Sequence, residues 1–152
     1  MDLVDADRRI LRVLQQDARI SNQDLAKCVG LSASACWRRV KALEDAGVIA
    51  GYPAIVDPEK AGLTFSAIVQ VTLSRHESTP MASFFARIEE RPEVVACFAT
   101  TGEADYHLRV VCRDKDAYNE FLDEFLIKLP GVAHIRTYLI LKSIKLQSAV
   151  PV

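Results

Sequence analysis

Residues 21 to 47, "SNQDLAKCVGLSASACWRRVKALEDAG", constrain the fold more tightly than any other stretch. They carry the start and stop signals of two helices set three residues apart. Ser21 followed by Asp24 resembles a capping box with Asp in place of Glu, and Gly30 offers a left-handed stop. Leu31 then serves as a buried turn residue, and Ser32 is placed to cap a second helix that runs to about Ala46 and stops at Gly47. Leu25, Ala26 and Val29 form an inner stripe on the shorter helix. An earlier helix, opened by Asp5 or Asp7, offers Ile10, Leu11 and Leu14. A short helix, a Gly-containing turn and a longer helix make a helix-turn-helix, and the earlier helix closes a three-helix core around Leu14, Leu25, Val29, Leu31, Val40 and Leu43.

Helical geometry sorts the longer helix into faces. At 100° per residue, Cys36, Val40 and Leu43 fall together as the inner stripe. Ser34, Arg38, Lys41 and Asp45 lie roughly opposite, Arg39 flanks one edge and Trp37 the other. Between Ser32 and Lys41 there are three cations and no acid. Small hydroxyls near the helix start allow close approach to a DNA major groove, first-turn amides can meet a phosphate, and arginine can pair with guanine. A cationic face alone would favour a merely solvated surface; the turn sequence, the acid-free run and the wing expected to follow together favour DNA. Ser32, Ser34, Arg38, Arg39 and Lys41 are the candidate contacts. Trp37 is assigned mainly to packing, against the first helix or the wing, with a phosphate or thymine-methyl contact as the lesser alternative.

Charge limits how strong such binding can be. The net charge is -1, and residues 1–50 hold eight Lys/Arg against seven Asp/Glu, so affinity for DNA must come from a local patch. The four cysteines (Cys28, Cys36, Cys97, Cys112) and three histidines (His76, His107, His134) show no metal-ligand spacing. No metal site is expected, and the cysteines read as reduced and structural, with a Cys28–Cys36 redox pair the lesser alternative. No apolar run approaches the ~18 residues that span a bilayer. The start, "MDLVDADRRI", lacks the apolar core of a secretory signal, so a cytoplasmic protein without membrane attachment is expected.

After Gly47 the texture changes. "VIAGYPAIVDPEKAGL" suggests a wing-like hairpin and then a connector. The expected organisation is a winged helix-turn-helix over 1–52, a linker over 53–63 and a second domain over 64–152. In that domain "FSAIVQVTL" alternates with period two. "TPMASFFARIEE" sets Pro80 in a first helical turn, with Met81, Phe84, Phe85 and Ile88 on one side. "VVACFATT" and "DYHLRVVC" are strands joined at Gly102. "DAYNEFLDEFLIKL" is helical, and "HIRTYLILKSIK" closes as a long strand. The order β-α-β-β-α-β is a ferredoxin-like unit, so the chain is α+β. Two helices cover one face of four strands, yet both alternations look apolar: Val69, Val71, Phe98, Leu108, Leu139 and Leu141 in one set, Ile68, Val95, Cys97, Val111, Tyr138 and Ile140 in the other. Either set can face the helices. The uncovered face would exceed what monomers expose, which predicts a dimer paired through its sheets. Cys97, Cys112, His107 and Asp105 do not make a nucleophile and base, because no helix N-terminus activates a strand thiol. No catalytic residue is assigned, and no enzyme is expected.

These residues resemble the Lrp/AsnC (leucine-responsive, or feast/famine) family of transcriptional regulators. The resemblance runs from about Leu3 to Val150 and is carried by "DADRRIL", "RIS", "LSASACWRRVKALEDAGVI", "TGEADY" and "LPGV". It implies a winged helix-turn-helix joined to an amino-acid-sensing domain. It further implies homodimers that assemble as octamers, and a small amino-acid effector rather than a cofactor. The effector would lie near the turn between the second and third strands, here Thr101, Gly102, Glu103, Ala104, Asp105 and Tyr106. Backbone amides beside Gly102 could hold a carboxylate and Glu103 or Asp105 an ammonium. Gly102 is equally a hairpin residue needing positive φ, and Asp105 a turn stabiliser. The implied function is sequence-specific regulation of amino-acid metabolism or transport genes through double-stranded DNA. The alternative is an oligomerisation module whose helical head contacts protein.

Overall fold

The computed structural model describes residues 2–74, 81–145 and 149–152. The chain forms two compact units, one of Met1–Ile55 with Lys145–Val152, the other of Val56–Ile144.

The first unit, the head, is built on three helices: α1 (Asp5–Leu14), α2 (Asn22–Val29) and α3 (Ala33–Asp45). Local chemistry sets their ends. Asp7 accepts the Val4 N–H at 3.1 Å and so caps α1 from its third position. Ser21 Oγ accepts the Asp24 N–H at 3.1 Å and donates to the Asp24 carboxylate at 2.8 Å. Gly30 stops α2 with φ 69, where a side chain would be strained. Ser32 Oγ accepts the Ala35 N–H at 3.2 Å and opens α3. Each such cap is worth about 1 kcal/mol. Ile10, Leu11, Leu25, Ala26, Val29, Cys36 and Leu43 form the buried core, with Leu14, Leu31, Val40 and Ile49 packed around it.

Two expectations for this unit are corrected. The hairpin expected after Gly47 does not form among the described residues: 48–64 contain no strand, only a turn at 58–62. Pro53 and Pro58 lack the N–H groups that a ladder there would use. Residues 145 and 149–152, placed with the second domain by sequence order, belong to the head. The Arg12 and Gln15 side chains hold the latter residues there by donating to the Val152 and Val150 carbonyls.

The second unit is a four-stranded antiparallel sheet in the order β2-β3-β1-β4. Its strands are β1 (Phe65–Leu73), β2 (Val94–Ala99), β3 (Tyr106–Cys112) and β4 (Val132–Leu139). Two helices pack on it, α4 (Met81–Glu89) and α5 (Lys115–Phe121). Asp114 caps α5 by accepting the Ala117 N–H at 2.8 Å. A π-helical segment, Leu122–Leu126, continues α5, so its second half does not follow the 3.6-residue period expected. Phe84 and Ile88 of α4 are buried as expected while Phe85 is partly exposed; Pro80 and the Met81 side chain lie outside the description. The closing strand ends at Leu139, short of the long strand expected.

The two sheet faces are less alike than the sequence suggested. Ala67, Val69, Val71, Tyr106, Leu108 and Val110 are buried against Phe84, Ile88, Phe121, Phe125, Leu126 and Leu129. The other face carries Phe98, His107, Gln70 and Arg136 as one cross-strand row, and Ala96, Arg109, Ile68 and Tyr138 as the next. Phe98 therefore joins the outer face and Cys97, paired with Leu108, the inner one, reversing both assignments. A bulge between Val94 and Ala96 is the cause: it inserts a residue and inverts the facing along β2. The outer face mixes apolar residues (Phe98, Ile68, Tyr138) with polar ones (Gln70, His107, Arg109, Arg136). Among the described residues no helix is long and apolar enough to cross a membrane, and no cluster of His, Cys, Asp or Glu could hold a metal ion.

Candidate functional site

On α3 the expected sorting of faces holds. Cys36 and Leu43 are fully buried and Val40 is partly so, while Ser32, Ser34, Arg38 and Lys41 are exposed. Burial pushes the Cys36 thiol above its ordinary pKa, as expected of an inert core cysteine. Ser32 Oγ and Ser34 Oγ lie 3.3 Å apart at the helix start, a small polar platform beside the first-turn amides.

The three cations have different fates. Arg38 has no hydrogen-bond or ion-pair partner among the described residues and projects into solvent. Arg39 turns the other way, and its Nη1 lies 2.9 Å from Oδ1 of Asp7, a carboxylate only 1% exposed. Arg39 thus neutralises a buried charge of the first helix. Lys41 pairs with Asp45 at 2.9 Å and Glu44 at 3.9 Å, one turn further along α3, and stays half exposed. Solvent screens such exposed pairs and holds them only weakly, so this ammonium can exchange onto a phosphate.

Trp37 is 59% exposed, which corrects its assignment to packing. It borders a shallow groove of about 200 Å³ with Leu14, Ala18, Ile20, Asn22, Leu25, Val40, Lys41, Glu44 and Tyr52. Tyr52 O–H donates to Glu44 Oε1 at 2.9 Å. Partial burial, together with that carboxylate, pushes the phenol up to about 12.

The turn between β2 and β3 separates its six candidate residues by role. Thr101, Gly102 and Glu103 are exposed, and Gly102 has φ 124, the positive value its hairpin role requires. Asp105 Oδ2 accepts the Leu73 N–H at 2.7 Å, which ties the turn to the end of β1. Tyr106 is buried, its ring 5.2 Å from Phe84 and 5.5 Å from Phe85. Glu103 and Ala104 line a groove of about 140 Å³ with Gln70, Thr72, His134 and Arg136. Glu103 and Arg136 form an ion pair of 3.0 Å there, and that carboxylate holds the guanidinium above its ordinary pKa. The pair presents a carboxylate-binding fork and an ammonium-binding acceptor side by side. Gln70, Thr72, His134 and Arg136 carry no local signal in the sequence; the pairings Gln70 with Arg136 and Thr72 with His134 bring them together.

Beside the groove runs a directional hydrogen-bond chain. Tyr138 O–H donates to Gln70 Oε1 at 3.3 Å, and Gln70 Nε2 meets His107 Nε2 at 2.9 Å. His107 Nδ1 lies 2.8 Å from Thr100 Oγ1, whose own proton goes to the Ala104 carbonyl at 3.2 Å. Thr100 has one proton to give, so the histidine must donate from Nδ1 and accept at Nε2.

Comparison with known proteins agrees with both halves of this arrangement. Residues 3–50 match the winged helix-turn-helix DNA-binding family, and residues 66–150 match the Lrp/AsnC ligand binding domain. The Bkd operon transcriptional regulator of Pseudomonas aeruginosa is 45% identical over 145 residues, 95% of each chain. The leucine-responsive regulatory protein of Escherichia coli is 38% identical over 144 residues, 95% of this chain and 88% of that one. Among solved structures, a Neisseria meningitidis transcriptional regulator in complex with L-methionine superposes with TM-score 0.94 at 37% identity, covering 99% of this chain and 97% of the other. Escherichia coli AsnC gives 0.89 at 26% identity, over 99% and 100% of the two chains. With a helix-turn-helix head and a βαββαβ unit that known sequences and solved structures both match, the chain belongs to the Lrp/AsnC family of transcriptional regulators, DNA-binding proteins rather than enzymes.

Proposed function

We propose that this regulator reads operator DNA through Ser32, Ser34 and Arg38, and that a free amino acid bound beside Glu103 and Arg136 modulates it. Lys41 exchanges its helical partners for a DNA phosphate. Arg39 supports the helix from behind rather than touching bases. The observation that carries the DNA reading is Arg38: an exposed guanidinium without a partner among the described residues, opposite a fully buried Cys36–Leu43 spine. Two copies pair through the outer sheet face, where Phe98, Tyr138 and Ile68 flank the polar row, and four such dimers assemble as an octamer. Each head carries little charge, so tethering two heads makes the second contact effectively intramolecular. Two-fold symmetry then asks for half-sites about one DNA turn, or a multiple of it, apart. The targets are amino-acid metabolism or transport genes, in keeping with the names of the relatives, and the protein works in the cytoplasm.

The effector reading rests on the Glu103–Arg136 pair at the mouth of the groove. An amino-acid zwitterion can place its carboxylate on Arg136 and its ammonium on Glu103, with its side chain toward the sheet. The complex of the Neisseria relative with L-methionine makes methionine the first amino acid to try. Two experiments test the proposal. Arg38→Ala should cost ~1–3 kcal/mol on operator DNA and relax preference at one base position. Equal weakening on operator and scrambled DNA would make Arg38 a phosphate clamp, and an unchanged isotherm would remove it from the interface. A thermal-shift screen of the twenty amino acids, repeated on Arg136→Ala, should show stabilisation by one or a few that the variant loses.

A further inference from the structure

The far end of the sequence returns to the head. Residues 149–152 lie along α1, and they are held by their backbone. The Val150 N–H donates to Gln15 Oε1 at 2.6 Å, and Gln15 Nε2 donates back to the Val150 carbonyl at 3.2 Å. Arg12 Nε donates to the Val152 carbonyl at 2.8 Å. The Gln15 carboxamide thus pairs with one residue's N–H and C=O as a neighbouring strand would. Arg12 and Gln15 stand one turn apart, so they address alternate residues of one extended segment. Val152 adds an apolar contact, packing against the head core. None of these groups is Ser32, Ser34 or Arg38, so the contact leaves the proposed DNA face of α3 open.

We infer that residues 149–152 are a releasable clasp on α1, a second attachment between the head and the sensing unit. The chain leaves the head after Ile55 and rejoins it at Lys145. A head on one connector explores a wide volume; a head attached at two points explores a smaller one. Where two heads must reach two half-sites, the local concentration of the second head governs affinity, and the clasp raises it. A single half-site does not feel this effect. The clasp is releasable because a few exposed hydrogen bonds gain little net free energy. That gain is of the same order as the entropy lost in ordering four residues. Anything that shifts this balance alters the paired-site affinity without touching a base contact.

The inference stands on the contacts themselves and borrows the proposed DNA reading only for one of its two tests. The first needs no DNA. In the full chain, NMR hydrogen exchange at the Val150 amide should be slowed relative to a free peptide, and Gln15→Leu should speed it by about tenfold. The second compares duplexes carrying one and two half-sites. Val150→Pro removes the donated N–H and should weaken two-site binding by about tenfold, with one-site binding within about twofold. A Val150 amide that already exchanges at the free-peptide rate overturns the clasp. So does equal weakening on both duplexes, or protection that rises with protein concentration and so places the segment on another copy. If the unaltered protein binds neither duplex, the DNA reading fails and the exchange arm still decides the clasp.

Discussion

Removing the Asp7 carboxylate tests whether Arg39 belongs to the fold or to the DNA surface. Asp7 is 1% exposed; one oxygen accepts Arg39 Nη1 at 2.9 Å and the other accepts the Val4 N–H at 3.1 Å. Asp7→Ala deletes both bonds. Loss of the helix-start bond costs about 1 kcal/mol. Breaking a wholly buried ion pair costs about 3–5 kcal/mol, but the Arg39 side chain is 41% exposed, so solvent screens it and about 1–2 kcal/mol is the fitting figure. The sum is about 2–3 kcal/mol. For a domain of this size 1 kcal/mol moves Tm by about 4–8 °C, so the head should melt roughly 10–20 °C lower. Arg39→Ala should destabilise at least as much, because it leaves Asp7 charged and buried. The double variant should lose less than the two singles together, by about 1–2 kcal/mol. Circular dichroism melts of the four proteins, with each variant's DNA affinity taken well below its Tm, read the cycle. Strict additivity would refute the coupling. An Arg39→Ala protein that melts normally and binds DNA poorly would return Arg39 to the interface.

Three further outcomes follow from single geometries. Gly30 has φ 69 with nothing within 4 Å of an added Cβ, so Gly30→Ala should cost about 1 kcal/mol through backbone strain alone, read as a shift in denaturation midpoint. Tyr52 is pushed from 10.0 up to about 12 by partial burial and then by Glu44, so the folded head keeps a proton that the unfolded chain loses. Its contribution to stability is whole below pH 10 and disappears as pH climbs toward 12; phenolate absorbance and melts against Tyr52→Phe isolate it. The uncharged His107 ring should carry its proton on Nδ1, which imidazole ¹⁵N shifts report; an Nε2 tautomer would break the inferred direction of the Gln70–His107–Thr100 chain.

What could be read from the sequence is what neighbours in the chain decide among themselves. Ser21, Ser32, Gly30 and Gly47 mark helix ends because capping acts over three or four residues, and the Cys36–Leu43 spine follows from helical period alone. The alternation of Phe65 to Leu73 likewise predicts a strand with one buried face. Features that depend on one inserted residue leave no such mark. The bulge at Val94–Ala96 moves Phe98 to the outer face, and the widened turn that bonds Ile127 N–H to the Leu122 carbonyl replaces an expected α-helical turn. Partners joined across the chain are equally invisible. Arg39 finds Asp7 across 32 residues, Arg136 finds Glu103 across 33, and Val150 finds Gln15 across 135.

These long-range pairs change the physics of DNA recognition. Sequence geometry offered three cations from α3 to the groove; the fold uses Arg39 for Asp7 and lends Lys41 to Asp45, which leaves Arg38 without a partner among the described residues. Each phosphate neutralised contributes about 0.9 to the slope of log affinity against log salt. A head with one free and one exchangeable cation on its recognition helix therefore gains little from counterion release there. On the proposed reading, its specificity comes from close approach by Ser32 and Ser34 and one paired arginine contact. If two heads are presented together, as proposed, how tightly each head is held to its sensing unit becomes as consequential as any base contact. A regulator built this way is tuned most economically by altering the attachment of its heads rather than the chemistry of α3.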